Sequence, residues 1–158
     1  MRVAAYALVL ASFLWVLALF TAPVATKSSN RSVSRAAALI YTIGGFVCHQ
    51  RPERSFTRGG QPMPVCARCT GLYVSALAGA LLAVMAGGLA LDARRARWLL
   101  AVAGAATVMT WVGEFAGLMH PSNMTRAVAA VPLGVVAAWL VVATLRTPAA
   151  RRVRPHAV

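Results

Sequence analysis

The chain has 158 residues, of which 59% are hydrophobic, and its 16 basic residues against three acids give a net charge of +13. This composition excludes an ordinary soluble domain, which needs many more charged residues on its surface. We therefore expect an integral membrane protein with an all-α fold. The predicted architecture is a polytopic helix bundle of four transmembrane helices and one short interfacial or half-inserted helix, forming a single domain over residues 1–158.

Four apolar segments are long enough to cross a hydrocarbon core of about 30 Å, which takes roughly 20 helical residues. They are residues 3–22, 72–91, 98–119 and 127–145. The first segment has the alternative of a cleaved secretory signal, since Arg2 precedes it and small residues follow it. Its apolar stretch is longer than a usual signal core, and Pro23 lies where a small residue is required, so an uncleaved anchor is favoured.

Residues 36–47 form a shorter apolar segment that contains Gly44 and Gly45 near its end. Its length is insufficient to span a bilayer, so we predict an interfacial or half-inserted helix. A fifth, unusually short span is the alternative.

Residues 48–69 form a polar loop that contains all three cysteines of the chain, Cys48, Cys66 and Cys69. A Cys-x-x-Cys pair with a third cysteine and a histidine predicts a tetrahedral metal site. The fourth ligand is then His49, next to Cys48, or His120 from a later loop. Zinc is the expected metal. Cu(I) is the alternative, because Cu(I) also prefers thiolate ligands.

Two other interpretations use the same thiols. The first is a membrane thiol-disulfide oxidoreductase with Cys66, Cys69 and Cys48 as catalytic residues and a quinone as cofactor. The start of a helix and the neighbouring Arg68 both lower a thiol pKa, although the odd number of thiols weakens this interpretation. In the second, two cysteines form a structural disulfide that ties the loop to the bundle. Enzyme activity is therefore left open.

Arginine placement predicts the orientation in the inner (plasma) membrane. Residues 94–97 and the basic tail 146–158 are expected in the cytoplasm, which places the cysteine loop and residues 120–126 on the extracytoplasmic side. The basic excess predicts contact with anionic lipids of the bilayer rather than with nucleic acid. Association with a second copy or with a membrane partner protein is left open.

Small residues recur at every fourth position of the second span, which predicts a close helix-packing face. They are Gly71, Ser75, Gly79, Ala83 and Gly87. The candidate partners are Ala130, Gly134 and Ala138 in the last span and Gly113 and Gly117 in the third.

Glu114 is an acid within an apolar helix, and such residues normally face the bundle interior and pair with a base. Arg68, Arg126 and His120 are its predicted partners. The pairing is expected either to orient loops or to take part directly in the cysteine site.

Further polar residues accompany the cysteines in a recurrent pattern. It consists of Cys48-His49-Gln50, Glu53-Arg54-Ser55, Cys66-Ala67-Arg68-Cys69-Thr70-Gly71 and Ser122-Asn123 followed by Arg126. This pattern resembles a bacterial family of small predicted membrane proteins catalogued as a domain of unknown function. The resemblance covers roughly residues 45–134 and implies that these side chains form one shared site, with Glu114 at a position where family members often carry aspartate. It brings no established activity, and Ser122 and Asn123 have a second predicted role as helix caps.

Overall fold

The computed structural model describes residues 2–86 and 91–146. Within these ranges the helices are α1 (Arg2–Ala25), α2 (Arg31–Val47), α3 (Ala67–Met85), α4 (Ala93–Phe115) and α5 (Asn123–Arg146). A 3-10 turn (Pro52–Arg54) and an antiparallel hairpin of β1 (Thr57–Arg58) and β2 (Gln61–Pro62) lie between α2 and α3. Helices α1, α3, α4 and α5 are long and apolar enough to cross a membrane. The predicted all-α bundle of four spans and one shorter helix is confirmed.

The spanning helices begin before the apolar segments that predicted them. Helix α3 begins at Ala67 rather than at residue 72, and α4 begins at Ala93 rather than at residue 98. Hydropathy detects only the apolar window, whereas backbone hydrogen bonding continues through polar first turns such as the one containing Arg68. Residues 87–90 of the second predicted span, including Gly87, and the tail beyond Arg146 lie outside the described ranges.

Helix α4 ends at Phe115, which corrects the predicted end at residue 119. Gly117 adopts a positive φ of 69°, and its N–H donates to the Glu114 carbonyl over 3.2 Å. The N–H of Leu118 donates to the Gly113 carbonyl over 2.9 Å. This is the hydrogen-bond pattern of a glycine-terminated helix, so residues 116–118 are a cap and not a continuation of the span.

Helix α2 begins at Arg31, earlier than the predicted residue 36, and the side chain of Asn30 caps it by accepting from the Ser32 N–H over 2.9 Å. Its 17 residues fall short of the roughly 20 that a span requires. It starts shortly after α1 ends, and its last residues lie beside the start of α3. Both ends of α2 are therefore at the same end of the bundle, which favours the interfacial or half-inserted helix over a fifth span.

The closest helix pair is α3 with α5. A Cβ at Gly71 would overlap the backbone oxygen of Ala127, and one at Gly79 would overlap that of Val135. The predicted small-residue face of α3 therefore packs on α5. The two glycines predicted as partners from the third span are not part of this contact, since Gly113 faces the side chain of Met119 and a Cβ at Gly117 would meet nothing within 4 Å.

Contacts at the two ends of the bundle show at which end the polar loop lies. At one end Arg146 donates from Nη1 to the carbonyls of Ala83 (2.9 Å) and Val84 (2.5 Å), joining α5 to the end of α3. At the other end Lys27, just after α1, donates to the Gly59 carbonyl of the hairpin over 2.5 Å. The polar loop therefore lies where α1 ends and α3 begins.

Candidate metal centre

Three thiols meet at this end of the bundle. The Sγ atoms of Cys48, Cys66 and Cys69 lie within 4.8 Å of one another, and all three cysteines are free and partly buried. Tetrahedral zinc with Zn–S bonds of about 2.3 Å holds its sulfurs roughly 3.8 Å apart. Small side-chain rotations would therefore bring the three sulfurs to one ion.

The cysteines come from the ends of two helices. Cys48 follows α2 as its C-cap, Cys66 precedes α3 as its N-cap, and Cys69 lies in the first turn of α3. The backbone N–H of Cys66 donates to Cys48 Sγ over 3.1 Å. A backbone donor of this kind stabilises negative charge on the sulfur that it contacts.

A glutamine fixes the end of α2 against the segment before α3. Gln50 Nε2 donates to the carbonyls of Pro64 (2.8 Å) and Tyr41 (2.5 Å), and its backbone has a positive φ of 46°. A Cβ at Gly44 would lie 2.5 Å from the Pro64 oxygen, so this approach needs glycine. Gln50, predicted only as a supporting residue, holds the two cysteine-bearing segments together.

The thiols rest on an apolar cluster. Leu19, Met63 and Val65 are buried there, and Cys48 and Cys69 pack against them. The cluster supports the thiols from α1 and from the segment after β2. Because these elements differ from those carrying the cysteines, the positions of the thiols depend on the packing of the whole end of the bundle.

The environment of Cys66 favours its thiolate and lowers its pKa to about 5. The largest cause is the hydrogen bond from the Cys69 thiol, which outweighs the effect of burial in the opposite direction. The Cys69 N–H, the Cys48 thiol and the Arg68 N–H also lower the pKa, although no capping hydrogen bond to the side chain is complete. A thiolate at neutral pH is both a metal ligand and a nucleophile.

Glu114 is the centre of an arginine cluster next to the thiols. Its carboxylate contacts Arg126 at 2.7 Å, Arg54 at 3.2 Å and Arg68 at 3.4 Å. The predicted pairing with Arg126 and Arg68 is confirmed. Arg54 is a partner that the sequence did not reveal, and His120, the remaining predicted partner, is exposed and makes no ion pair with Glu114.

Of the other predicted polar residues, Ser55 and Asn123 are connected to the arginine cluster, whereas the side chains of Ser122 and Glu53 are not. Ser55 is buried, and its carbonyl accepts from Asn123 Nδ2 over 3.0 Å, while Asn123 Oδ1 accepts from Arg126 Nη1 over 2.8 Å. Ser122 Oγ accepts from the Thr125 N–H over 3.1 Å, as predicted for a cap of α5, whereas Asn123 serves the arginine cluster. Glu53 is exposed on the 3-10 turn.

Neither predicted histidine ligand belongs to the group of atoms within 4.8 Å. His49 is exposed but lines the pocket beside the thiols, whereas His120 is exposed and does not line it. The fourth ligand therefore remains a prediction.

A pocket of about 430 Å³ opens between the thiols and the arginine cluster. Its lining includes Arg51, Trp111 and Phe115, which sequence reasoning did not single out. Trp111 and Phe115 stack with ring centroids 5.7 Å apart. They are an i, i+4 pair beside Glu114 on α4, and that spacing could have indicated them.

The family model that describes predicted membrane proteins, DUF2085, matches residues 48–140, which is 93 of 158 residues. The chain belongs to this family. The DUF2085 match starts at Cys48 and includes all three thiols, Glu114 and its three arginines. It does not include α1 or α2.

Two curated relatives are archaeal and uncharacterised. One, from Methanocaldococcus jannaschii, is 38% identical over 80 residues, which are 49% of this chain and 51% of the relative. The other, from Methanothermobacter thermautotrophicus, is 52% identical over 31 residues, which are 20% of this chain and 28% of the relative. The chain thus spans about half or less of the relatives that it matches, and the expected restriction to a bacterial family is not supported. No solved structure matches.

Proposed function

We propose that this DUF2085 protein binds one thiophilic metal ion, Zn²⁺ in the first instance, through Cys48, Cys66 and Cys69. The observation that carries the proposal is the convergence of three sulfurs within 4.8 Å from two separate helix ends. Three thiolates and one further ligand make a familiar zinc site, and a Cu(I) ion would use the same sulfurs.

The fourth position faces the pocket in this proposal. His49 is the favoured ligand because it follows Cys48 and lines that pocket. His120 is the alternative. If neither binds, water or an anion from the pocket completes the coordination, as in zinc sites that keep one position open.

Neighbouring charges support a thiolate-bound ion. Three thiolates on a divalent ion carry a net charge of −1, which is costly to bury without compensation. Arg54 and Arg68 line the same pocket and supply that compensation. The Cys66 N–H already donates to one of the sulfurs.

Metal analysis of anaerobically purified full-length protein tests the proposal. We expect close to one equivalent of zinc or copper, lost in Cys48→Ser, Cys66→Ser and Cys69→Ser while the protein still inserts. His49→Ala should weaken metal retention, and His120→Ala, which removes an exposed imidazole outside the pocket, should leave it unchanged; the reverse result would make His120 the fourth ligand. A metal-free wild-type protein with all three thiols reactive would reject the proposal.

Thiol-disulfide chemistry is the second candidate, and the lowered pKa of Cys66 favours it. In that reaction Cys66 and Cys69 would form a disulfide while a quinone takes up two electrons and two protons to become a quinol. In chelated protein, alkylation of Cys66 should then stay fast down to about pH 5, and membranes should couple dithiol oxidation to quinone reduction. A metal-free protein that does both belongs to this second class.

A further inference from the structure

The pocket beside the thiols has a large excess of positive charge. Arg51, Arg54, Arg68 and Arg126 line it. Glu114 pairs with three of these arginines. The four guanidinium groups and this one carboxylate together carry a net charge of +3. Even with three thiolates on a divalent ion, which add −1, the pocket keeps +2.

The carboxylate of Glu114 has no acceptor position left for a further hydrogen bond from these arginines. It receives contacts from Arg68 Nη2, Arg126 Nε and Nη2, and Arg54 Nη2. These four contacts match the roughly four acceptor positions of a carboxylate, whereas each guanidinium has five N–H donors. Most donors of Arg54 and Arg68 are therefore left for another acceptor.

No other acid of the chain supplies that acceptor. The sequence has three acids, and Asp92 pairs with Arg95 at the opposite end of the bundle. Glu53 is exposed, and it forms no ion pair with any residue of the described ranges. The buried Nε of Arg68 also lacks a hydrogen-bond partner within those ranges. Buried donors in folded proteins are normally paired, so this N–H is available to an acceptor in the pocket.

The rim of the pocket is apolar. Phe115, Val47 and Trp111 line it, and their exposed fractions are 83%, 54% and 53%. Phe115 is the last residue of a spanning helix. The pocket thus combines arginine side chains with an exposed apolar rim at the end of a helix that is long and apolar enough to span a membrane.

We propose that this pocket binds a phosphate group, held by Arg51, Arg54 and Arg68. Guanidinium forks match the geometry of phosphate oxygens and form charge-assisted hydrogen bonds with them. The phosphate belongs either to an anionic phospholipid, which the apolar rim favours, or to a soluble ion. This site goes beyond the metal centre and does not require it, because the arginines outnumber the negative charges of the pocket with or without the metal.

Full-length protein in nanodiscs of phosphatidylcholine tests the site. Phosphatidylglycerol is titrated in one arm and counted as bound lipid by native mass spectrometry. Inorganic phosphate is titrated in the other arm at constant ionic strength and followed by thermal stability. We expect one anion to bind per chain, with its affinity lowered about tenfold or more in Arg51→Gln and Arg54→Gln, as loss of a charge-assisted hydrogen bond requires.

Arg35→Gln is the matched control, since Arg35 is exposed on α2, carries the same charge and does not line the pocket. Binding in the lipid arm identifies a headgroup, and binding in the phosphate arm alone identifies a soluble ion; both support the site. Equal losses in Arg35→Gln and Arg51→Gln, or no anion binding in either arm, would overturn it. Arg51 is not among the ion-pair partners of Glu114. Arg51→Gln therefore leaves that cluster intact, and a loss of anion binding in this variant is not explained by unfolding.

Discussion

Glu114 shows why a buried charge near a membrane surface needs several partners. Its side chain is only 7% exposed, and it receives guanidinium groups from the polar loop, from the start of α3 and from α5. Removing a charge from water is expensive, and well-placed hydrogen bonds recover that free energy. The carboxylate therefore holds three separate parts of the chain beside the thiols.

Replacement of Glu114 by Gln should destabilise the protein by about 3–5 kcal/mol, because three arginines would be left without their shared acceptor. Arg126→Gln should also be costly, and the double variant should be less harmful than the sum of the two. Free energies of unfolding in detergent give this double-mutant cycle.

Arg95→Gln is the control for this cycle, because Arg95 and Asp92 form an ion pair with exposed side chains. It should change the free energy of unfolding by about 0–1 kcal/mol. Strict additivity of Glu114→Gln and Arg126→Gln would show that the two side chains do not depend on each other.

The sequence revealed the site residues better than it revealed their geometry. The confinement of three thiols to one polar loop predicted their convergence, and the cost of an acid in an apolar helix predicted partners for Glu114. Arg54 was predicted as a site residue from its motif but not as a partner of Glu114. Arg51 could not be distinguished from other arginines, since a loop has no periodicity that assigns side chains to a face. The contacts of Gln50 depend on its positive φ, which cannot be predicted from a glutamine in the sequence.

At the scale of helices, the pairing of α3 with α5 depends on backbone approach. Gly71 and Gly79 face backbone oxygens of α5, and Gly134 of α5 faces Ser75 and the backbone of α3. In lipid such close packing supplies dispersion contacts that hydrophobic collapse does not provide. This pair positions Cys69 at the start of α3 relative to Arg126 at the start of α5.

Gly79→Ala should destabilise the bundle by about 1–3 kcal/mol, because the new methyl group would overlap the backbone of Val135 and the helices would separate. Unfolding in a graded series of denaturing detergent provides the measurement. Gly104→Ala makes the same chemical change on α4, where the nearest atom to the new Cβ is Leu133 Cδ1 at 3.8 Å. It should stay within about 1 kcal/mol of the wild type, and an equal loss in both variants would contradict the packing argument.

Helix pairing was predictable from the four-residue repeat of small residues, whereas helix ends were less so. The segment 98–119 was predicted as continuous because residues 116–119 are also mostly apolar. Gly117 with a positive φ ends the helix earlier, and only a glycine-cap argument could have located that end.

At the scale of the whole molecule, the start of α1 and the end of α5 lie at the same end of the bundle, where Ala5 and Val142 share a buried cluster. Helices α1 and α4 end where α3 and α5 begin, and the candidate sites lie at this end of the bundle. Arg94, Arg95 and Arg97 lie at the start of α4, at the opposite end. The positive-inside rule predicts that this opposite end faces the cytoplasm, and the orientation stays a prediction.

Reporter fusions should show this orientation. A fusion after Val158 should be active with a cytoplasmic reporter and silent with one that requires export, because α5 ends at the opposite end of the bundle from the sites. A fusion after Gly60, in the hairpin turn, should give the opposite result. The reverse pattern at both positions would place the thiols in the cytoplasm and contradict the proposed localisation.

The arginine cluster also bears on how the chain is made. Helix α4 is the least apolar of the four candidate spans and carries Glu114, so its entry into the bilayer is the hardest of the four. Arg54 and Arg68 precede Glu114 in the chain and are therefore synthesised first, whereas Arg126 follows it. When α4 leaves the ribosome, two of the three ion-pair partners of Glu114 have therefore already been synthesised. We therefore expect Glu114 to be neutralised during insertion rather than after it.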